Sequence, residues 1–350
     1  LPLCSNEEKS RPCAHEVKGL TVIKPFLGVG ADVPAEASVF LVRHGALSGY
    51  VLSEGVNPFY SDIDCHAMAR AVVDEAVRRQ LAAGARLDRI ALLDNFCWPD
   101  PVEAPDNPDG AYKMAQLVRA CRGLHEAAVA YGAPLISGKD SMKNDSRMGG
   151  VKISVPPTLL VSAIGKIDDV TTALTLEPKA VGDVVYLLGA TRNETGGSEY
   201  FRLRGHLDGQ AAELGQPAPY VGNAVPRLEL SETLPRYRAL ETAIRAGIVR
   251  SVAVVAKGGL GVSFARMALA SRLGLELDLT AAADLAGLDP DVALFSESLG
   301  RLLVSVAPGQ VADFERCMSA TGCHRLGTTV DAPRLVVRRA GAVLVDVGID

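Results

Sequence analysis

The stretch from Ala91 to Asp145 constrains this chain most. It opens on the apolar run Ala91-Leu-Leu93 and breaks at Asp94 and Asn95. It closes on Pro134-Leu-Ile136 and breaks at Ser137-Gly-Lys-Asp-Ser141. Between them lies a helical stretch, roughly 112 to 131. The runs read as two buried strands that stop abruptly at polar residues. Asp94 and Asn95 are then expected to follow one strand, and Gly138, Lys139, Asp140 and Ser141 the other. In α/β architecture, charged small molecules bind where strands end. Acid, amide, lysine and hydroxyl groups gathered at one edge point to such a site.

At 350 residues the chain is too long for one ordinary domain and suits two. Aromatic residues make up only 5%, so the cores must be built from Ala, Val, Leu and Ile. A net charge of −5 speaks against a nucleic-acid or polyanionic partner, which would want a basic face. The seven cysteines are scattered, with no CxxC, and read as reduced thiols of a cytoplasmic protein. No apolar run approaches the roughly 18 residues of a membrane span, and no signal peptide is read. The chain opens at Leu1 rather than Met, so a piece of something longer is expected.

Residues 1–30 are read as an arm or linker, 31–168 as a first domain and 169–350 as a second. In the first, strands are expected over 37–43 and 49–53. A long helix capped by Asp62 or Asp64 is expected to run to about Ala83 and stop at Gly84. Its apolar positions Met68, Val72, Val73, Ala76 and Leu81 recur at helical spacing. The helix of the central stretch carries Met114, Leu117, Val118, Cys121 and Leu124 on one face. A turn at Met148-Gly-Gly150 and strands over 151–155 and 158–167 follow. The second domain is expected to place strands at 183–188, 252–255 and 302–306, helices at 228–246, 262–273 and 310–321, and a terminal hairpin after Arg334. Helices and strands interleave with hairpins, so the class is α+β, or mixed α/β.

Several motifs have two readings. Asp94 and Asn95 either cap a turn or contact a ligand. Gly138-Lys-Asp-Ser141 is either a strand end or an anion-binding loop, and it is not a Walker A sequence. Glu75 and Arg79 make a surface i,i+4 pair or take part in a site. The loops Gly196-Gly-Ser-Glu-Tyr200 and Lys257-Gly-Gly-Leu-Gly261 are turns or anion cradles. Ser296-Glu-Ser298 reads as a capped turn. His15, His44 and His66 are not spaced as metal ligands. Trp98, the only Trp, reads as packing.

Taken together these strings are far more specific. They include Gly55-Val-Asn-Pro-Phe-Tyr-Ser-Asp-Ile-Asp64, Leu93-Asp-Asn-Phe-Cys-Trp-Pro99, Ile136-Ser-Gly-Lys-Asp-Ser-Met142, Ile153-Ser-Val-Pro-Pro-Thr158 and Phe295-Ser-Glu-Ser-Leu-Gly-Arg301. Across essentially its whole length the chain resembles phosphoribosylformylglycinamidine synthase, and within it the C-terminal half of the large synthetase subunit. That resemblance implies a two-domain unit similar to aminoimidazole ribonucleotide (AIR) synthase. Its first domain would pair into a barrel, and its second would be an α/β sandwich. It implies a ligase of purine biosynthesis, with ATP and Mg²⁺ as cofactors and formylglycinamide ribonucleotide as substrate. It also implies two partners, the N-terminal synthetase half and a glutaminase that delivers ammonia. Alone, the chain is expected to be inactive and to form a homodimer. A non-catalytic scaffold half is the alternative, as is a related free-standing kinase-like enzyme.

Carried over by position, Asp94 contacts ATP, Gly138 lies against the nucleotide and Ser141 touches the substrate. Lys139 stands where many relatives place an Mg²⁺-binding Asn. A lysine cannot ligate a cation, so Lys139 is expected to meet phosphate and Asp140 to hold metal. No catalytic residue is assigned. Some long relatives trap a second nucleotide, whose metal ligands would match Glu75, position 79 and the loop before Gly258. Here Glu75 remains, but Arg79 and Ala256-Lys257 replace the usual groups. The expectation is that this inner site has lost metal and nucleotide, with Arg79 and Lys257 filling the charge gap.

Overall fold

Asp64 opens the helix around which both halves are built. In the computed structural model, which describes residues 16, 18–207, 222 and 224–349, its carboxylate accepts from His66 N at 2.8 Å and Ala67 N at 3.3 Å. These donors lack intrahelical partners, so the cap satisfies them and starts α1, Cys65–Ala82. Gly84, at φ +92°, turns the chain away past its end. Met68, Val72, Val73, Ala76 and Leu81 are all fully buried, as their spacing predicts. The arm read over Leu1 to His15, with Cys4 and Cys13, lies outside the described residues.

The first sheet has strands β1 (Thr21–Ile23), β2 (Ser38–Leu41), β3 (Gly49–Val56), β4 (Ile90–Cys97), β5 (Leu135–Ser141) and β6 (Thr158–Ile167). Their spatial order is β1-β2-β3-β6-β4-β5. β1 falls in the segment read as a linker, so that segment also supplies an edge strand. Neighbours are antiparallel except β4 and β5, which are parallel and joined through α2, Gly110–Tyr131. Parallel strands need such a crossover. Both helices pack on one face, at residues with no side chain in the way. A Cβ on Gly55 would lie 2.0 Å from the Val72 carbonyl oxygen, and one on Gly123 2.4 Å from that of His66. The opposite face carries Leu52 and Ile164, 41% and 40% exposed.

Two expectations change here. The strands do not stop at the polar residues. Pairing runs on through Asp94 with Gly138, Asn95 with Lys139, Phe96 with Asp140 and Cys97 with Ser141. Trp98 N then donates to Ser141 O at 2.8 Å. Nor is the second strand buried. β5 is the sheet edge, and Ile136 is 65% exposed.

The second sheet is built from β7 (Val184–Leu188), β8 (Val249–Val254), β9 (Gly274–Asp278), β10 (Leu302–Val306), β11 (Cys323–Val330), β12 (Arg334–Arg339) and β13 (Ala342–Gly348). Its order is β8-β10-β7-β11-β9-β12-β13. The sequence reading did not mark β9 and β11, and each carries a glycine that blurs the pattern. Those glycines allow close approach: a Cβ on Gly274 or Gly327 would lie 1.9 Å from a neighbouring carbonyl oxygen. The helices here are α3 (Glu199–Leu207), α4 (Leu230–Arg245), α5 (Gly259–Ser271), α6 (Pro290–Phe295) and α7 (Val311–Met318). α5 and α6 cover Val185, Leu187, Ala253 and Leu303, while α4 and α7 cover Val184, Tyr186, Val252 and Val304. This is the expected α/β sandwich.

Charges on α1 tie the two sheets together. Asp74, fully buried, accepts from Tyr131 Oη and Tyr237 Oη, each at 2.7 Å, and pairs with Arg78 Nε at 3.3 Å. Arg78 Nη1 donates to Val255 O at 2.8 Å and Arg301 O at 2.9 Å. Burial alone would lower the guanidinium pKa, but the Asp74 charge raises it above its usual value.

Candidate functional site

Between α2 and strands β4 and β5 lies an open cleft of about 780 Å³, lined by Asp94, Phe96, Leu117, Cys121, Leu124, His125 and Asp140 among others. Its size falls in the range of small-molecule pockets. The walls are apolar, and two carboxylates face in from the strands. Strand alternation puts Asp94 and Asp140 on the helix face, beside Phe96 and Gly138. Gly138 has a specific reason to be glycine. A Cβ there would stand 2.6 Å from Asp94 Oδ1, so the bare backbone makes room for that carboxylate.

Burial raises the Asp94 carboxyl pKa, and the neighbouring Asp140 charge adds to the rise. Burial also raises the Cys121 thiol, followed by the charges of Asp140 and Asp94. The three groups therefore share one negative corner. A cation or a hydrogen-bond donor would be welcome there, whereas a bare anion would be repelled.

The structure brings Asp94, Gly138 and Asp140 together but separates them from Lys139 and Ser141. Those two point to the opposite face of the sheet, where Lys139 Nζ donates to Ser141 Oγ. The expectation that Asp94, Gly138, Lys139 and Ser141 form one cluster is corrected accordingly. Along a strand, adjacent residues point to opposite sides, and the strands continue where a loop was expected. Asn144 steadies the end of β5, its Nδ2 donating to Ser141 O at 2.8 Å and meeting Cys97 Sγ at 3.3 Å.

The cleft wall on α2 comes from the apolar stripe marked in the sequence. Leu117, Cys121 and Leu124, which recur on one face at helical spacing, line the cleft. Of that face, Met114 and Val118 are 42% and 43% exposed. The core contact is made by Leu124 of that face together with Ala120, Gly123 and Ala127. His125 and Met142 also line the cleft and were not singled out.

Glu75 is not a surface residue. Its Oε1 accepts from Arg79 Nη2 at 2.7 Å and Nε at 3.1 Å, within the protein. Arg79 Nη1 also donates to Glu36 Oε2 at 2.9 Å, and Arg266 Nη1 meets Glu36 Oε1 at 2.9 Å. Two guanidinium groups thus neutralise two carboxylates. Glu75, a metal-ligand candidate by position, receives the Arg79 guanidinium, the group expected to fill the charge gap. Lys257, also expected to fill the gap, is exposed and takes no part. Among the described residues, no three His, Cys, Asp or Glu side chains come together as a metal cage.

The glycine loops of the second domain cradle an anion of the protein's own. Glu297 Oε1 accepts from Gly258 N at 2.9 Å and Glu199 N at 3.0 Å, at the starts of α5 and α3. Its Oε2 accepts from Tyr60 Oη at 2.6 Å. Helix N-termini favour such a negative group. Burial nevertheless raises the Glu297 pKa. Gly197, at φ +67°, packs where a Cβ would touch Tyr60 and Phe59. These loops therefore serve the seam between the domains.

Comparison with known proteins agrees with this architecture. Residues 39–167 match the family model "AIR synthase related protein, N-terminal domain", and residues 180–340 match "AIR synthase related protein, C-terminal domain". The chain is similar to phosphoribosylformylglycinamidine synthase subunit PurL of Thermoplasma acidophilum, with 28% identity over all of this chain and 42% of that protein. It is 34% identical to PurL of a Nostoc species over 86% of this chain and 37% of that protein. The chain thus spans about two fifths of the length of these relatives. Among solved structures it is similar to T. maritima PurL complexed with FGAR, with TM-score 0.67, 16% identity, and coverage of 93% of this chain and 48% of that one. It is also similar to hydrogenase maturation protein HypE in complex with ATP, with TM-score 0.57, 15% identity, and coverage of 88% and 87%. At these identities the likeness is one of fold.

Proposed function

Since the chain belongs to the AIR synthase related family, in the branch of the PurL subunits of purine biosynthesis, we propose that it is the C-terminal module of such a synthetase and forms one wall of its ATP site. The observation that carries this reading is the cleft in which Asp94 and Asp140 meet over Gly138. Its apolar wall suits a base, and its carboxylate pair suits a metal-bound phosphate. Mg²⁺ takes one or two carboxylates, keeps several waters and draws its other ligands from phosphates. The raised pKa of Asp94 fits that role, because a cation relieves the repulsion from Asp140. Asp94 and Asp140 would hold the ion, which supplies charge neutralisation of the phosphates.

The reaction is the ATP-dependent conversion of formylglycinamide ribonucleotide to its amidine. ATP phosphorylates the amide oxygen, and ammonia from a glutaminase displaces the phosphate. The missing wall belongs to a first synthetase half. The free β5 edge and the open sheet face, with Leu52 and Ile164 exposed, suit pairing with that half in a shared barrel. Without it, a second copy takes its place as a homodimer. The chain works in the cytoplasm. Among the described residues, no helix is long and apolar enough to cross a membrane.

Calorimetric titration with Mg²⁺ and a non-hydrolysable ATP analogue tests this reading. Asp94→Asn and Asp140→Asn should each weaken binding about tenfold, roughly 1.4 kcal/mol. Equal affinity in the wild type and both variants would sink it, as would ammonia-dependent turnover by this chain alone. The scaffold reading has one observation in its favour: the inner cluster of Glu36, Glu75, Arg79 and Arg266 is closed by its own charges. It predicts no nucleotide binding at all.

A further inference from the structure

A second cavity, of about 430 Å³, opens where the two domains meet. Val77, Leu87 and Ile90 line it from the first domain, and Leu234 and Tyr237 from the second. It shares the turn residues Gly132 and Ala133 with the cleft described above, but neither Asp94 nor Asp140. Domain interfaces are favoured places for small-molecule pockets, which combine apolar walls with a few converging polar groups. Tyr131 and Tyr237 stack at this one, with ring centroids 6.2 Å apart, and Asp74 holds both hydroxyls. The two tyrosines therefore offer ring surface rather than hydrogen-bonding groups.

The polar groups come from α4. Arg238 and Glu241 lie three residues apart on that helix, and both line the cavity. Opposite charges at this spacing commonly pair. Among the described residues, however, the Arg238 guanidinium has no hydrogen-bond or ion-pair partner. Glu241 Oε1 accepts from Leu87 N at 3.0 Å, which fixes the carboxylate in the wall and leaves Oε2 for a ligand. The third charge, Asp88, is paired with Arg86 at 2.9 Å. The cavity thus presents one cation and one anion beside apolar walls.

We propose that this cavity is a second small-molecule site, which takes a zwitterionic amino acid with an apolar or aromatic side chain. The ligand carboxylate pairs with Arg238, whose fork of donors suits it. The ligand ammonium meets Glu241, and the side chain lies against the aliphatic walls and the tyrosine rings. A nucleotide is disfavoured, because its phosphates would face Glu241 and Asp88. The walls come from both domains, so an occupant bridges the seam and stabilises the folded chain by mass action.

The test uses L-phenylalanine as probe on the whole chain, with ligand-observed NMR and thermal unfolding as readouts. The amino acid should bind and raise Tm. Hydrocinnamate and phenethylamine each lack one of the two charges and should bind about tenfold more weakly. Arg238→Gln and Glu241→Gln should each cost L-phenylalanine about tenfold in affinity. The glutamine at 241 keeps an acceptor for Leu87 N, so the loss reports the charge. Asp94→Asn should leave L-phenylalanine affinity within about twofold, as expected of a separate site. Absence of L-phenylalanine binding overturns the assignment, as does equal binding of all three probes or full affinity in both α4 variants. A large loss in Asp94→Asn would put the amino acid in the other cleft and overturn it as well.

Discussion

On the proposed reading, Asp94 serves binding at the expense of the fold. Burial and Asp140 raise its carboxyl pKa, so its charged form is less favoured in the folded chain than in the unfolded one. A group with a raised folded pKa contributes its full stability below the unfolded carboxyl range. That contribution is lost as pH rises through the folded value. Asp94→Asn should therefore raise Tm at pH 7, and the gain should vanish in acid, where both forms are neutral. Thermal scans across pH 3 to 8 measure this, roughly spanning the carboxyl range and neutrality. A destabilised Asp94→Asn at pH 7 would contradict the proposed balance. Such a trade of stability for a poised charge is the mark of a functional carboxylate.

At the scale of elements, α2 shows why a helical stripe is ambiguous. Its larger apolar residues face the cleft or solvent, while Ala120, Gly123 and Ala127 face α1. Small residues let the two helix backbones approach, so the side that looks weakly apolar makes the close contact. Gly123→Ala tests this. An exposed helical Gly→Ala change gains about 1 kcal/mol. Here the new methyl would stand 2.4 Å from the His66 carbonyl oxygen, and that backbone cannot yield cheaply. The variant should lose about 1–3 kcal/mol in urea unfolding. A neutral or stabilised variant would show that α1 and α2 can part without cost.

For the whole molecule, the seam between the domains runs through α1, where Leu81 and Ala82 share an apolar cluster with Tyr237 and Leu240 and a buried polar network lies beside it. Arg78 joins Asp74 to the carbonyls of Val255 and Arg301, and Tyr131 and Tyr237 complete the network around the carboxylate. Arg78→Met would leave Asp74 buried without its cation and two carbonyls without a donor. Removing one partner of a buried pair costs about 3–5 kcal/mol. The urea midpoint should fall accordingly, with limited proteolysis cutting between the domains. An unchanged midpoint would assign the seam to apolar packing alone.

Much of this could be read from the order of residues alone. The caps and stripe of α1, the terminal hairpin and the mixed α/β class follow from local periodicity and turn chemistry, which depend on near neighbours in the chain. Asp94 and Gly138-Lys-Asp-Ser141 also stood out as candidates. What they do to one another was not legible. Whether two strands pair in parallel, and for how many residues, depends on a partner some forty residues away. That pairing carried the strands past their polar residues and exposed β5 as an edge. It set Asp94 and Asp140 on one face and Lys139 and Ser141 on the other. Glu36, Glu75, Arg79 and Arg266 likewise became one neutral cluster only when α1 met the second domain. The sequence by itself determined which groups are present; tertiary structure decided which of them share a face, because only long-range contacts set register and burial.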